Sequence, residues 1–372
     1  MRSAPANGFG LYVHVPFCDG KCPYCAFYSV PYDPALADRW LAALAREWQA
    51  AAPAPKADTL YIGGGTPSRL APRQLAGLCR LARSRAGAVS EWTVEVNPGT
   101  LDAEKAAILA HAGVTRVSLG AQSFDPAVLR RLGRRHTAGD TLQAVQLLRR
   151  AGLNNLSLDL IACVPGCSRA AWRDTLRQAL ALEPSHVSVY ALTSEEGTRL
   201  HRAVGQGRAA LLSDREQLVR LNLAERVLGE AGLVRYEISN YARPGFECRH
   251  NLACWRGAEY LGFGPAAASR RGLVRRTNRP DLAAYLATLE SGLEPPRDTD
   301  RLTPALLARE RVIFGLRMAE GISDETAAGY EPRLETLQAA GLAVRRAGRW
   351  ALTPRGRNVA DAVAVDLIAE SG

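Results

Sequence analysis

The feature that most constrains the fold is a regular alternation of short apolar runs and amphipathic stretches. The β-rich runs cover 11–15, 59–62, 92–96, 116–119, 156–161 and 186–192, and the amphipathic stretches cover 34–50, 72–86, 102–112, 139–151, 169–182 and 213–231. Repeated strand–helix units predict a parallel sheet with helical crossovers, buried on both faces. Six units within roughly the first 195 residues fall short of the eight units of a closed barrel. We therefore expect a partial (β/α)6 barrel, with an open doubly wound sheet as the alternative.

The pattern changes after residue 235. The segment 236–269 is rich in Gly, aromatic and polar residues and shows no helical period, so we expect 236–299 to be a loop-rich segment that completes the site. From residue 300 we expect helices near 304–319 and 322–340, a β-hairpin over 341–357 and a last helix, a plan that resembles a winged-helix unit. The predicted domains are 1–235, 236–299 and 300–372.

Composition excludes some classes of function. The chain is 47% hydrophobic and 23% charged, as in soluble globular proteins. Its net charge is +10, but its short Arg runs lack interleaved aromatic residues, so we expect a solvated face and no nucleic-acid partner. No apolar run approaches the ~20 residues of a membrane span, and the start lacks the pattern of a secretory signal. We therefore predict a cytoplasmic protein.

A cluster of three cysteines follows the first predicted strand. Cys18, Cys22 and Cys25 form C-x3-C-x2-C. A structural zinc site uses four ligands and a disulfide uses two, so three thiols match neither. Each iron of a [4Fe–4S] cube needs one ligand besides its bridging sulfides, so three thiolates leave the fourth iron open to an external ligand. A zinc knuckle or buried free thiols are the alternative interpretation.

Polar and glycine residues follow the next strands at their carboxyl ends. Gly63-Gly64-Gly65-Thr66 follows the second strand, Glu95 and Asn97 end the third, Gln122 follows the fourth, and Asp159 lies in the fifth. Ligands bind at this edge in parallel α/β folds, so the order of these residues is informative. Each of them taken alone is more often a satisfied polar group than a ligand.

The cysteine motif stands in the frame "YVHVPFC…KCPYCAF", followed by "YIGGGTPS". This frame resembles the signature of the radical S-adenosylmethionine (SAM) superfamily. The resemblance implies a [4Fe–4S] cluster on the three cysteines and SAM on the open iron. One electron from the cluster would then cleave the sulfonium bond. The residues implied as SAM contacts are Tyr12, Tyr24, Gly64, Gly65, Thr66, Glu95, Gln122, Arg134 and Asp159. The Arg134 fork suits the SAM carboxylate and Asp159 suits ribose hydroxyls, whereas core packing is an equal alternative for the two tyrosines.

Further segments extend the resemblance over nearly the whole chain. "VEVNPGT", "LGRRHTA", "YEISNYARPG" and "CRHNLACWRGAEYLGFG" resemble the oxygen-independent coproporphyrinogen oxidase family, and within it the haem chaperone branch. The oxidase carries C-x3-C-x2-C-x-C and a longer N-terminal arm, whereas this chain has Phe27 in the last position and its first strand starts near residue 10. The resemblance implies a carrier that passes haem to an acceptor protein, which could be a membrane protein met transiently. It also implies an electron donor for the cluster. Whether SAM is turned over stays open, and the alternatives are the decarboxylating oxidase or a radical SAM enzyme with another substrate.

The haem chaperone branch is also marked by an H-N-x-x-Y-W motif associated with haem. Here it reads His250-Asn251-Leu252-Ala253-Cys254-Trp255, with Cys254 in place of Tyr. The resemblance implies His250 as a haem ligand and Trp255 as a flat apolar surface, with Cys254 as a less favoured ligand. The alternative is that His250 caps a turn and Trp255 fills the core. Cys163 and Cys167, in "DLIACVPGC", are interpreted as small apolar substitutions.

Overall fold

The computed structural model describes residues 8–51 and 55–368, and its core is a run of parallel strands. The first strands of the chain are β1 (Gly10–Val15), the short β2 (Phe17–Cys18) and β3 (Val30–Pro31), β4 (Thr59–Gly64), β5 (Glu91–Val96), β6 (Arg116–Gln122), β7 (Leu156–Ala162) and β8 (His186–Ala191). All six predicted strands are present. Strands β1 and β4–β8 pair in parallel, with Tyr12 opposite Tyr61 and Asp159 opposite Ser188.

Helices cover the outer face of these strands. They are α1 (Pro34–Ala50), α2 (Pro72–Ala86), α3 (Ala103–Ala112), α4 (Pro126–Arg131), α5 (Ala138–Arg150), α6 (Arg169–Ala181), α7 (Arg199–Gly205) and α8 (Asp214–Glu230). Several begin at side-chain caps, in which Asp33, Asp102 and Ser168 each accept a backbone N–H from three residues along. The predicted amphipathic stretches match these helices closely, but the short α4 and α7 were not predicted.

The sheet forms a partial barrel that continues beyond the parallel strands. Its further elements are β9 (Val234–Arg235), β10 (Asn240–Ala242), α9 (Arg249–Trp255), β11 (Tyr260–Phe263), β12 (Ala268–Arg271), β13 (Val274–Asn278), α10 (Leu282–Glu290) and β14 (Arg297–Arg301). In the described part of the chain the strand order is β14-β13-β12-β11-β1-β4-β5-β6-β7-β8-β10-β9. Strand β11 is parallel to β1, whereas β12–β14 and β10 add antiparallel flanks, so the sheet is mixed.

The prediction that 236–269 contains no helix is wrong for α9. This helix has seven residues, about two turns, which is too short to establish a helical period in the sequence. The carboxylate of Glu91, at the start of β5, accepts the backbone N–H groups of Arg249 and His250 at 3.1 Å each. A distant acidic residue therefore caps the helix, and a local pattern cannot reveal it.

The C-terminal region has its own apolar core, which includes Val312, Leu316, Leu334 and Trp350. Its elements are α11 (Pro304–Leu316), β15 (Ile322–Ser323), α12 (Glu331–Ala339), β16 (Ala343–Arg346), β17 (Arg349–Leu352), α13 (Pro354–Arg357) and α14 (Ala360–Ile368). The predicted hairpin is confirmed as β16 and β17. The single helix predicted over 322–340 is wrong, because Ile322 and Ser323 pair with β17 and the helix starts only at Glu331.

The structure shows no helix, within the residues it describes, that is long and apolar enough to cross a bilayer.

Candidate functional site

The cysteine loop lies at the carboxyl edge of the barrel, directly after β1. Cys18 belongs to β2, whose partner β3 brings the chain back so that the Tyr32 N–H donates to the Cys18 carbonyl at 3.0 Å. A tight turn joins the Cys25 N–H to the Cys22 carbonyl, and the start of α7 donates the Leu200 N–H to Pro23. All three thiols are partly exposed. The loop is therefore fixed by backbone hydrogen bonds while its sulfurs stay accessible.

The three thiols fit a cluster better than a single ion. Within the described ranges, no group of three or more His, Cys, Asp or Glu side chains is arranged to hold one metal ion. A cube needs no such convergence, because each thiolate binds a different iron. Burial raises the pKa values of Cys18 and Cys25, and nearby thiols raise them further, so these two thiols are not stabilised as thiolates by the protein alone. A bound cluster would displace these protons. The donor set thus favours a cube and does not support the zinc-knuckle alternative.

The Gly63–Gly65 strip packs against the cysteine loop itself. The Gly65 N–H donates to the Val15 carbonyl at 2.8 Å, and the Thr66 N–H donates to the Phe17 carbonyl at 2.7 Å. A Cβ atom at Gly65 would lie 2.6 Å from the Phe17 oxygen. These two N–H groups therefore bond within the protein. The glycines instead allow the loop to approach β4, which leaves the Thr66 hydroxyl 3.4 Å from the Cys18 sulfur.

Glu95 holds the same strip from inside the barrel. Its carboxylate accepts the Tyr61 hydroxyl at 2.7 Å and the Gly64 N–H at 3.1 Å. Burial, and then the nearby charge of Asp159, raises the pKa of Glu95 to about 7, while the two hydrogen bonds oppose that rise. Both carboxylate oxygens have protein partners. Glu95 therefore fixes the shape of the strand end.

Arg134 and Gln122 converge beside the cysteines. The Arg134 guanidinium lies 3.8 Å from the Cys22 sulfur and donates to the Gly120 carbonyl at 3.0 Å. Gln122 has a φ of 63° at an irregular point in the β6–β7 pairing. A Cβ built on Gly120 would lie 2.9 Å from the Gln122 amide nitrogen and 3.4 Å from Arg134, so both side chains lie over Gly120. The structure thus brings these two predicted residues together with the cluster loop.

The remaining predicted SAM contacts lie around this group. Asp159 sits deeper in the barrel and accepts the Ser118 hydroxyl at 3.0 Å, and burial raises its pKa. The Tyr12 hydroxyl lies 3.1 Å from Nδ1 of His14, whose Nε2 lies 2.9 Å from the Tyr28 carbonyl oxygen. Tyr24 is close to Cys22, and its pKa is raised by burial. These residues place polar side chains in the interior of the barrel and beside the cysteine loop.

His250 lies at the opposite edge of the barrel. A Cβ on Gly10 would lie 3.2 Å from its ring, and its Nδ1 is 2.9 Å from the Thr59 hydroxyl. Gly10 and Thr59 begin β1 and β4, whereas the cysteines follow the end of β1. A six-residue strand spans about 17–20 Å, so His250 and the cysteine loop are separated by roughly that length. The expectation that this segment completes the site around the cysteines is not matched by the position of His250.

The surroundings of His250 are closely packed. Its ring is 8% exposed and lies 5.2 Å from the Tyr61 ring, and burial lowers its pKa to about 4. Trp255 lies farther along α9, 5.8 Å from Phe314 and 4.8 Å below the Arg317 guanidinium, so it connects the helix to the C-terminal region. Burial raises the pKa of the Cys254 thiol to about 11. These three motif residues therefore share one short helix with different neighbours.

The other cysteines are apart from the loop thiols. Cys79 and Cys248 are buried, and burial raises the pKa of Cys79 to about 12. Cys163 and Cys167 are also buried, and Cys163 has a φ of 64°. A residue with this φ usually is glycine, because a Cβ is strained there. Cys163 thus holds a backbone conformation that glycine adopts more readily.

Sequence reasoning missed several polar residues of the barrel. They are His14, Glu91, Arg116 and His136, each at most 6% exposed. His14 could have been found from its alternation with Tyr12, because residues two apart on a strand share a face. Glu91 and Arg116 begin their strands and carry no local signal. His136 stands in the quoted "LGRRHTA" segment but had no assigned role.

Comparisons with known proteins agree with this geometry. The family model described as "Radical SAM superfamily" matches residues 12–179, and that of the "HemN C-terminal domain" matches residues 302–359. The chain is 38% identical over 379 residues to "Heme chaperone HemW" of Mycobacterium tuberculosis, covering 99% of this chain and 97% of the relative. It is 33% identical to "Heme chaperone HemW" of Escherichia coli, covering 93% and 94% of the two chains.

A solved structure agrees with the fold. The coproporphyrinogen III oxidase HemN from Escherichia coli, described as a radical SAM enzyme, superimposes with a TM-score of 0.83 at 23% identity, covering 98% of this chain and 91% of that one. At this identity the likeness concerns the fold. The relatives at more than 30% identity extend over nearly the full length of both chains. The chain therefore belongs to the HemW family of haem chaperones, within the radical SAM superfamily.

Proposed function

We propose that the carboxyl edge of the barrel binds a [4Fe–4S] cluster and SAM, and that the protein carries haem to acceptor proteins. The observation that carries the first part is the convergence of Thr66 and Arg134 on the cysteine loop, 3.4 Å from Cys18 and 3.8 Å from Cys22. The three thiols would each hold one iron. Arg134, Gln122 and Asp159 would bind SAM through its carboxylate, adenosine and ribose groups.

Bound to the open iron, SAM would supply radical chemistry when an electron donor reduces the cluster. The protein's own groups prepare that site. Arg134 brings a positive charge to the thiolates and has a planar fork for a carboxylate. Glu95 and the glycine strip hold β4 against the loop, and the Thr66 hydroxyl interacts with Cys18. The electron donor is a further proposed partner, and the proposed location is the cytoplasm.

His250 has the chemistry of a haem ligand on the amino edge. Its lowered pKa keeps the imidazole neutral near pH 7, as iron coordination requires. The Thr59 hydroxyl can fix the tautomer through Nδ1, which leaves Nε2 as the nitrogen for iron. His250 is only 8% exposed, so a group as large as haem would need α9 to move. We propose that haem binding displaces α9, with Trp255 and Cys254 as secondary contacts.

The acceptor would receive haem directly from this carrier, and a membrane protein is among the acceptors we propose. The second candidate function is decarboxylation of coproporphyrinogen, which the oxidase-like fold alone supports. Phe27 is 67% exposed at the position of the oxidase's fourth cysteine, so no thiol is available there. We therefore favour the carrier.

Anaerobic reconstitution followed by two titrations tests the proposal. The protein should take up about four irons, its reduced cluster should change its EPR signal when SAM is added, and haem should produce a Soret band that shifts in His250→Ala. An anaerobic incubation with coproporphyrinogen should yield no decarboxylated product. A SAM-dependent product in that assay would favour the oxidase, and an unchanged Soret band in His250→Ala would remove His250 from the haem site.

A further inference from the structure

The end of β6 contains a strained turn beside the cysteine loop. The Ser123 N–H donates to the Ala121 carbonyl at 2.7 Å, which closes a three-residue turn with Gln122 at its centre and a φ of 63°. A γ-turn with a positive central φ is rare and strained for a residue with a side chain. Strain of this kind persists where the surrounding structure imposes it. The turn therefore needs a support outside its own three residues.

Two side chains provide that support by donating hydrogen bonds to two successive carbonyl groups. Arg134 donates to Gly120 at 3.0 Å, and Nε2 of His136 lies 3.0 Å from the oxygen of Ala121. A carbonyl only accepts, so Nε2 of His136 carries the proton. The ring is 5% exposed, and its Nδ1 is buried without a hydrogen-bond partner among the described residues. His136 thus donates its single ring N–H to the turn.

The environment keeps His136 in this neutral form. Burial, and then the positive charge of Arg134, lowers its pKa to about 4, while Asp140 and the Ala121 carbonyl oppose that shift. The residue also packs closely against Gly99, where a built Cβ would lie 3.2 Å from the His136 Cβ. Both the neutral ring and the protonated ring can donate from Nε2, so the hydrogen bond to the turn does not depend on pH in the neutral range.

We infer that His136 is a positioning residue for SAM, which holds the Ala121–Ser123 turn so that the Gln122 amide lies beside Arg134 at the mouth of the barrel. This inference rests on the proposed SAM site. His136 acts through the turn and does not contact SAM itself. If His136 lost its donor, Gln122 could relax to an ordinary negative φ, and its side chain would leave Gly120 and Arg134.

Substitution of His136 tests the inference through SAM affinity in the reconstituted protein. His136→Leu should weaken SAM binding about tenfold, the usual scale of one lost hydrogen bond that orients a ligand group, while iron content stays at the wild-type level. His136→Gln, which keeps a donor, should recover most of the affinity and the SAM-dependent EPR change. The matched control is His111→Leu, because His111 is an exposed histidine that also bonds to a backbone carbonyl, that of Ala107.

A double-mutant cycle separates positioning from general damage. In a Gln122→Gly background the turn is no longer strained and the amide is absent, so His136→Leu should have no further effect on SAM affinity. Should His136→Leu fail to fold, Gly99→Ala provides the second variant, because it displaces the ring but keeps the imidazole, and it should also weaken SAM binding.

Wild-type affinity in folded, iron-loaded His136→Leu, or an equal loss in the Gln122→Gly background, would overturn the inference. An absence of SAM binding by the wild type would instead overturn the proposed function.

Discussion

The two edges of the barrel are built in opposite ways. At the carboxyl edge the cysteine thiols are partly exposed, and glycines remove side chains so that loop and strand can meet. At the amino edge Thr59, Glu91 and His250 are buried and joined by hydrogen bonds. The first edge is ready for an external ligand, whereas the second must open before anything reaches His250. This difference supports the proposal that cluster binding and haem binding use separate ends of one scaffold.

The largest loss of stability should come from removing the Glu91 carboxylate at the amino edge. Glu91→Ala deletes the acceptor of the Arg249 and His250 N–H groups and leaves the buried Arg116 without its nearby carboxylate. We expect a loss of about 4 kcal/mol in the free energy of unfolding, because a buried charge loses its partner. Urea denaturation measures the loss. If Glu91→Ala proved as stable as wild type, the description of this edge as a closed, supported one would be wrong.

The matching change at the carboxyl edge is Gly65→Ala. The added methyl would lie 2.6 Å from the Phe17 oxygen and 2.7 Å from the Val15 oxygen, so the cysteine loop must move. We expect about 3 kcal/mol of destabilisation and a reduced iron content after reconstitution. Gly139→Ala is the control, since its methyl would meet only the Thr137 hydroxyl at 3.5 Å. Iron content that stays normal in both variants would contradict the proposed contact between loop and glycine strip.

The pH dependence of stability should distinguish the edges in the acid range. The pKa of His250 is lowered to about 4, so the folded protein keeps the ring neutral while the unfolded chain takes up a proton. The contribution of His250 to stability is therefore complete above about pH 6.5 and is lost as the pH falls towards 4, by about 3 kcal/mol. His250→Gln should unfold with a shallower pH dependence than wild type between pH 6.5 and 4.5. Equal slopes for the two proteins would show that His250 is not held in its neutral form.

Gly10→Ala should cause the smallest loss of stability of these variants. Its methyl would lie 3.2 Å from the His250 ring, which can yield by a few tenths of an ångström. We expect a cost of about 1 kcal/mol, together with a changed Soret band on haem addition and an unchanged cluster spectrum. A changed cluster spectrum with an unaltered Soret band would reverse the assignment of the two edges.

The sequence predicted the barrel well, because its strands and crossover helices carry long apolar patterns and local caps. It also predicted the cysteine loop and its polar neighbours, since carboxyl ends of parallel strands meet at one edge. It could not predict α9, whose N-terminus is capped by Glu91 from a distant strand. It could not show that the Val15 and Phe17 carbonyls accept the N–H groups of Gly65 and Thr66.

The position of His250 in the fold could not be predicted from the sequence, for a similar reason. The motif identifies the residue type, but the edge it occupies depends on the pairing of β11 with β1, which carries α9 past the start of the barrel. The role of His136 was missed because the turn that it holds becomes visible only through the φ of Gln122. Long-range pairing and backbone strain thus determine the parts of the site that local patterns leave open.

A haem titration of the Cys18→Ala/Cys22→Ala/Cys25→Ala protein, followed at the Soret band, tests whether the two edges of the barrel act independently. Because His250 contacts Gly10 and Thr59 and not the cysteine loop, the cluster-free protein should bind haem with wild-type affinity and the wild-type Soret position. His250→Ala should show the converse, with a normal cluster and altered haem binding. Loss of haem binding in the folded triple variant would contradict the separation of the two edges.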